Sequence, residues 1–90
     1  MDEQTQKKLL NRLRRIEGQV KGLQKMVSEE KYCIDIITQT QAITSALDAF
    51  ETAMLKNHLE THVVEQMRSG QEGTAIGEIL KVYQVSQRRK

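Results

Sequence analysis

The sequence has no proline and no tryptophan, one cysteine, three aromatic residues and five glycines in 90 residues. Without proline there is no proline-rich linker, and no interior position is forced to break a helix. A lone cysteine, Cys33, excludes an internal disulfide and fits a reducing compartment. Tyr32, Phe50 and Tyr83 are the only aromatic side chains, so one protomer has a thin core. Small helical chains of this kind often complete their core by oligomerising. No apolar run approaches the roughly 18 residues of a membrane span. The start, Met1-Asp2-Glu3-Gln4, lacks the pattern of a signal peptide. The expectation is a cytoplasmic protein without a membrane partner.

What is present is helix-forming. Hydrophobic residues make up 38% and charged residues 29%, the balance of a soluble helical domain. The net charge of +2 is unevenly laid out: residues 1–25 carry +4, residues 26–69 carry −4 and residues 70–90 carry +2. A basic first segment suits a polyanion, although a solvated charged face accounts for it equally well.

Leu9, Leu13, Ile16, Val20, Leu23 and Val27 recur at three- and four-residue steps, which predicts a first helix. Lys8, Arg12 and Arg15 flank this stripe on one side, and Lys7, Arg14 and Lys21 on the other. The polar run Ser28-Glu29-Glu30-Lys31 predicts a turn. A second helix is expected from about Tyr32 to Arg68, with Ile36, Ile43, Leu47, Phe50 and Met54 at helical spacing. No glycine lies between Gly22 and Gly70 to interrupt it. Ser69-Gly70-Gln71-Glu72-Gly73 predicts a stop. A short third helix follows from about Thr74 to Gln87, with Ile76, Ile79, Leu80 and Tyr83 as its buried side and Arg88-Arg89-Lys90 frayed. The whole chain reads as one all-α domain over residues 1–90.

His58 and His62 stand four residues apart on the long helix, so both rings project from one face, about 6 Å apart along the axis. Such a pair can chelate one transition-metal ion, and it can equally be two polar residues on a wet helix. Cys33 shares their face, being 25 residues before His58. That separation spans about 37 Å of a continuous helix. An antiparallel second copy, with its two-fold axis near residues 46–47, would bring Cys33 of one chain beside His58 and His62 of the other. A thiolate with two imidazoles suits Cu(I) and Zn(II), and with further ligands Ni(II) or Co(II).

The runs Arg12-Leu13-Arg14-Arg15-Ile16-Glu17-Gly18-Gln19-Val20, Tyr32-Cys33-Ile34-Asp35 and Asn57-His58-Leu59-Glu60-Thr61-His62 resemble the copper-sensitive operon repressor family. Its relatives sense nickel or cobalt, formaldehyde and persulfide. The resemblance covers nearly the whole chain. It implies a three-helix protomer, an antiparallel dimer, and a homotetramer built as a dimer of dimers. It further implies a repressor that binds operator DNA when metal-free and releases it when an effector binds. Cys33 and His58 match two metal-ligand positions, and His62 stands where copper sensors usually carry a second cysteine. Tyr32 and Glu78 match positions that surround the ligand histidine. Arg12 matches a basic residue implicated in operator binding, which Lys8, Arg14 and Arg15 would extend. An arginine that some members use on helix two is Thr52 here.

Other branches match less well. Persulfide sensors need two cysteines. Formaldehyde sensors carry proline at the second position, where this chain has Asp2. Nickel/cobalt sensors add an N-terminal histidine, and no histidine precedes His58. Copper(I) is therefore the expected effector, with Zn, Ni or Co as alternatives. Nickel/cobalt, zinc or formaldehyde sensing in the same family is the alternative function, followed by a metal-free helical interaction module. An enzyme using a Cys–His pair has no support from a glycine-rich loop, an oxyanion hole or an aromatic-lined pocket.

Overall fold

The structure is a computed structural model that describes residues 1–88; Arg89 and Lys90, expected to fray with Arg88, lie outside the described residues. The described residues form α1 (Glu3–Ser28), α2 (Cys33–His58), a π-helical turn (Leu59–Val63), α3 (Val64–Arg68) and α4 (Glu72–Arg88). The fold is all-α, as read. The long second segment is helical as far as Arg68, but a π turn with wider i→i+5 bonding replaces the α-helix directly after His58. The chain divides into two compact units, Met1–Leu55 and Lys56–Lys90.

In the first unit, Asp2 starts α1. Its side chain accepts a hydrogen bond from the Thr5 backbone N–H at 2.7 Å, which satisfies one orphan donor of the first turn. That bond holds the Asp2 carboxyl below the usual carboxylate range. The apolar stripe of α1 splits in two. Leu9 and Ile16 are buried and Leu23 is half-buried, whereas Leu13, Val20 and Val27 remain 38%, 39% and 57% exposed. Each set repeats every seven residues, so one line faces the protomer's own core and the other is left without cover. Ile43 is the buried residue of α2.

The connection after α1 has no glycine, yet it closes as tightly as a glycine turn. The Glu30 N–H bonds the Val27 carbonyl and the Lys31 N–H bonds the Met26 carbonyl, both at 3.0 Å. This is a Schellman cap, and its left-handed position is Glu30, at φ 54°. The Tyr32 carbonyl then receives the Asp35 and Ile36 N–H groups and launches α2. Threonines 38, 40, 44 and 52 on α2 each turn their hydroxyl back onto the carbonyl four residues earlier. Each hydroxyl thus finds an acceptor without leaving the helix.

In the second unit, Val63 and Ala75 are buried, at 5% and 0% exposure. A second Schellman cap ends α3. The Gly70 N–H bonds the Met67 carbonyl, and the Gln71 N–H bonds the Gln66 carbonyl. Here glycine occupies the left-handed position, at φ 81°. The buried side expected for the last helix needs correction. Ile76, Ile79, Leu80 and Tyr83 are 53%, 38%, 54% and 60% exposed. α4 starts earlier than read, at Glu72, and among the described residues the one that α4 buries is the small Ala75. Ile76, Leu80 and Tyr83 thus keep more than half of their surface exposed.

Candidate metal centre

The second unit gathers polar side chains on the helical run through the π turn and on α4. His58 is the last residue of α2, and His62 lies within the π turn. Their ring centroids are 5.4 Å apart with planes tilted by 33°. Thr61 secures the backbone between them, its hydroxyl donating to the Asn57 carbonyl at 2.7 Å.

His58 Nε2 lies 2.7 Å from Glu78 Oε2 on α4. The contact is short, but the ring N–H is not aligned on Oε2 as a hydrogen bond, and Oε2 is otherwise a covered acceptor. Both side chains are part-exposed, His58 at 30% and Glu78 at 38%. With Nε2 turned to the carboxylate, Nδ1 is the ring nitrogen left to hold a metal. The other carboxylate oxygen, Oε1, accepts a hydrogen bond from Gln66 Nε2 at 3.1 Å.

Gln66 is absent from the sequence reading. Its position offered one signal: it extends the four-residue row of His58 and His62. In an α-helix each four-residue step overshoots by about 40°. The π turn takes up an extra residue and offsets that drift.

Cys33 is the first residue of α2, a free and exposed thiol. Among the described residues, no group of three or more His, Cys, Asp or Glu side chains is arranged to hold a metal ion. His58 thus lies beside both His62 and Glu78, and the described residues do not complete a three-ligand site. The neighbouring Tyr32 side chain is 70% exposed. Lys8, Arg12, Arg14 and Arg15 are exposed along α1. Arg14 Nη1 reaches the Asn11 side-chain oxygen at 3.2 Å. Lys21 pairs with Glu17 at 3.8 Å, one turn back on α1. Thr52, on α2, is exposed, with its hydroxyl bonded to the Asp48 carbonyl. No helix among the described residues is long and apolar enough to cross a membrane.

Comparison with known proteins assigns this architecture. The metal-sensitive transcriptional repressor family matches residues 5–85. The chain is 40% identical over 75 residues to the copper-sensing transcriptional repressor CsoR of Bacillus subtilis, covering 83% of this chain and 74% of that protein. It is 47% identical over 62 residues to the copper-sensing transcriptional repressor RicR of Mycobacterium tuberculosis, covering 69% of this chain and 65% of that protein. The fold superimposes on the crystal structure of the copper-sensing repressor CsoR with Cu(I) from Geobacillus thermodenitrificans. The TM-score is 0.89 at 36% identity, with 100% of this chain and 92% of that chain covered. An all-helical chain with a histidine pair at the end of its second helix, matched over nearly its full length, belongs to the metal-sensitive transcriptional repressors, a family of regulators and not of enzymes.

Proposed function

We propose that this chain is a copper(I)-responsive repressor that binds operator DNA when metal-free and releases it when the metal binds. The observation that carries the reading is the orientation of His58. Its Nε2 faces Glu78 and leaves Nδ1 available, beside the His62 ring. Copper-sensing relatives at 40% and 47% identity support copper as the effector.

The donor set fits the metal. Cys33 supplies a thiolate, and His58 and His62 supply neutral imidazoles, a soft to borderline combination. Cu(I), when bound, supplies a soft cation that draws these three donors to one centre. The ligands come from two chains in this reading. Cys33 opens α2 and His58 closes it, and 25 residues of helix rise about 37 Å. An antiparallel second copy of α2 would set the two ends side by side. The uncovered apolar residues Ile34 and Ile37 on α2 support such pairing, and those of α4 support further assembly to a homotetramer. The whole chain then acts as a single sensing and DNA-binding domain. Tyr32 borders Cys33, and the Glu78 carboxylate lies against Nε2 of His58, where it would turn the ring so that Nδ1 faces the metal.

Lys8, Arg12, Arg14 and Arg15 contact DNA phosphates from α1. α2, at 26 residues, is too long for one member of a helix-turn-helix recognition pair, which fits phosphate-dominated contact from α1. The reading places the protein in the cytoplasm with its operator. His62 in place of a thiolate favours a second reading, a repressor of the same family that answers to the more borderline Zn(II) or Ni(II).

Fluorescence anisotropy of a labelled operator tests the proposal. Cu(I) is expected to lower operator affinity roughly 5- to 150-fold in the wild type and to have little effect on Cys33→Ala. A wild type indifferent to Cu(I) but released by Zn(II) or Ni(II) would favour the second reading. Indifference to all three would refute metal sensing.

A further inference from the structure

We propose that Gln66 is a positioning residue that fixes the Glu78 carboxylate against His58 and so ties α4 to the copper response. This inference rests on the copper-sensing reading. Glu78 is a flexible side chain on the surface of α4, 38% exposed, and a carboxylate free to rotate would not hold one ring orientation. Gln66 removes that freedom. Its Nε2 donates to Glu78 Oε1 at 3.1 Å, and the planar carboxylate then presents Oε2, which lies 2.7 Å from His58 Nε2. Three segments are joined in one line: the end of α2, α3 and α4.

The orientation of the amide is set by chemistry. A carboxylate oxygen accepts and never donates when ionised, so only the NH₂ side of Gln66 can face it. The amide oxygen of Gln66 is consequently left covered with no hydrogen-bond partner. An apolar side chain of the same length would fill the space without that penalty. A glutamine is therefore a poor choice for packing alone and a good one for holding a carboxylate. The same residue also anchors the α3–α4 turn through its backbone, since its carbonyl accepts from the Gln71 N–H. A shift of α4 is thus transmitted to Glu78 and the Gln66 segment together.

The experiment compares Gln66→Met, which keeps the length and loses the donor, with Gln66→Lys, which keeps a donor for Oε1. Circular dichroism checks that both fold. Operator affinity is measured with and without Cu(I), and the His58 ring is followed by ¹⁵N NMR in the metal-free full-length protein. In Gln66→Met the copper effect on operator affinity is expected to shrink roughly 2- to 30-fold. Its thermal stability should stay level or rise, and the ¹⁵N shifts of the His58 ring should move as the carboxylate leaves Nε2. Gln66→Lys should retain the response and the ring signature. A folded Gln66→Met that responds to copper like the wild type overturns the inference. Equal loss in both variants also overturns it, by assigning the effect to packing. If the wild type itself ignores copper, the copper reading fails instead. The ring signals then decide on Gln66 alone, and unchanged His58 ring shifts in Gln66→Met refute its role.

Discussion

The two helix-terminating turns make a matched pair, and exchanging their left-handed residues predicts opposite changes in stability. Glu30 sits at φ 54° and Gly70 at φ 81°, each in the same position of a Schellman cap. A left-handed conformation costs an L-residue about 1–2 kcal/mol, because Cβ approaches the following carbonyl oxygen. Glycine escapes that penalty but gives up roughly 0.5–1 kcal/mol in unfolded-chain entropy. Glu30→Gly therefore gains a net of about 0.5–1 kcal/mol. Glu30 takes part in no ion pair among the described residues; the neighbouring Lys25 and Lys31 pair with Glu29. Gly70→Ala loses a similar amount, and no neighbour adds to it, since a Cβ at Gly70 would meet nothing within 4 Å. For a chain of this size each change moves the thermal midpoint by roughly 2–8 °C, upward for Glu30→Gly and downward for Gly70→Ala. The assay is thermal unfolding followed by circular dichroism at one fixed protomer concentration, because assembly itself shifts the midpoint. A lowered midpoint for Glu30→Gly would show that Glu30 is not strained in solution, and the backbone geometry of the first turn would be wrong.

Asp2→Ala removes the N-cap of α1 and is expected to lower the unfolding midpoint at neutral pH. The folded Asp2 carboxyl titrates below its unfolded value, so its contribution is present above the unfolded value and disappears as pH falls through the folded one. The gap between variant and wild type should accordingly close in strong acid, and a gap that persists there would deny the capping role. Arg12→Ala or Arg15→Ala should weaken operator binding and reduce the slope of log affinity against log salt by roughly one unit each, with copper affinity retained. Unchanged slopes in both would move the DNA contact away from this part of α1.

The elements were legible in the sequence wherever apolar spacing or glycine recorded them. The stripe from Leu9 to Val27 marks α1, and Gly70 marks the end of α3. Spacing alone does not say which of several apolar lines a chain covers for itself. Leu13, Val20 and Val27 match the helical period as well as Leu9, Ile16 and Leu23 do, yet they stay exposed in the protomer. On α4 the same ambiguity placed Ile76, Ile79, Leu80 and Tyr83 inside, where they are 38–60% exposed. The polar run Ser28-Glu29-Glu30-Lys31 marked the first turn, although glutamate rather than glycine takes its left-handed position. The π turn hid because one widened turn barely disturbs the hydrophobic period. At the candidate metal centre, His58 and His62 stood out by spacing, and Glu78 by resemblance to a family. Gln66 had no such mark, because a hydrogen bond between residues twelve apart depends on how the turn after α3 folds back.

The shared metal site is tested most directly by subunit mixing. A Cys33→Ala protein is combined with a His58→Ala/His62→Ala protein, and mixed dimers are isolated after exchange. In an antiparallel pair, one site joins the intact Cys33 of the second chain to the intact His58 and His62 of the first, while the other site loses all three ligands. Equilibrium titration with Cu(I) should show one tight site per mixed dimer, although neither parent binds tightly alone. Mixed dimers that bind no better than their parents would contradict a site built from two chains.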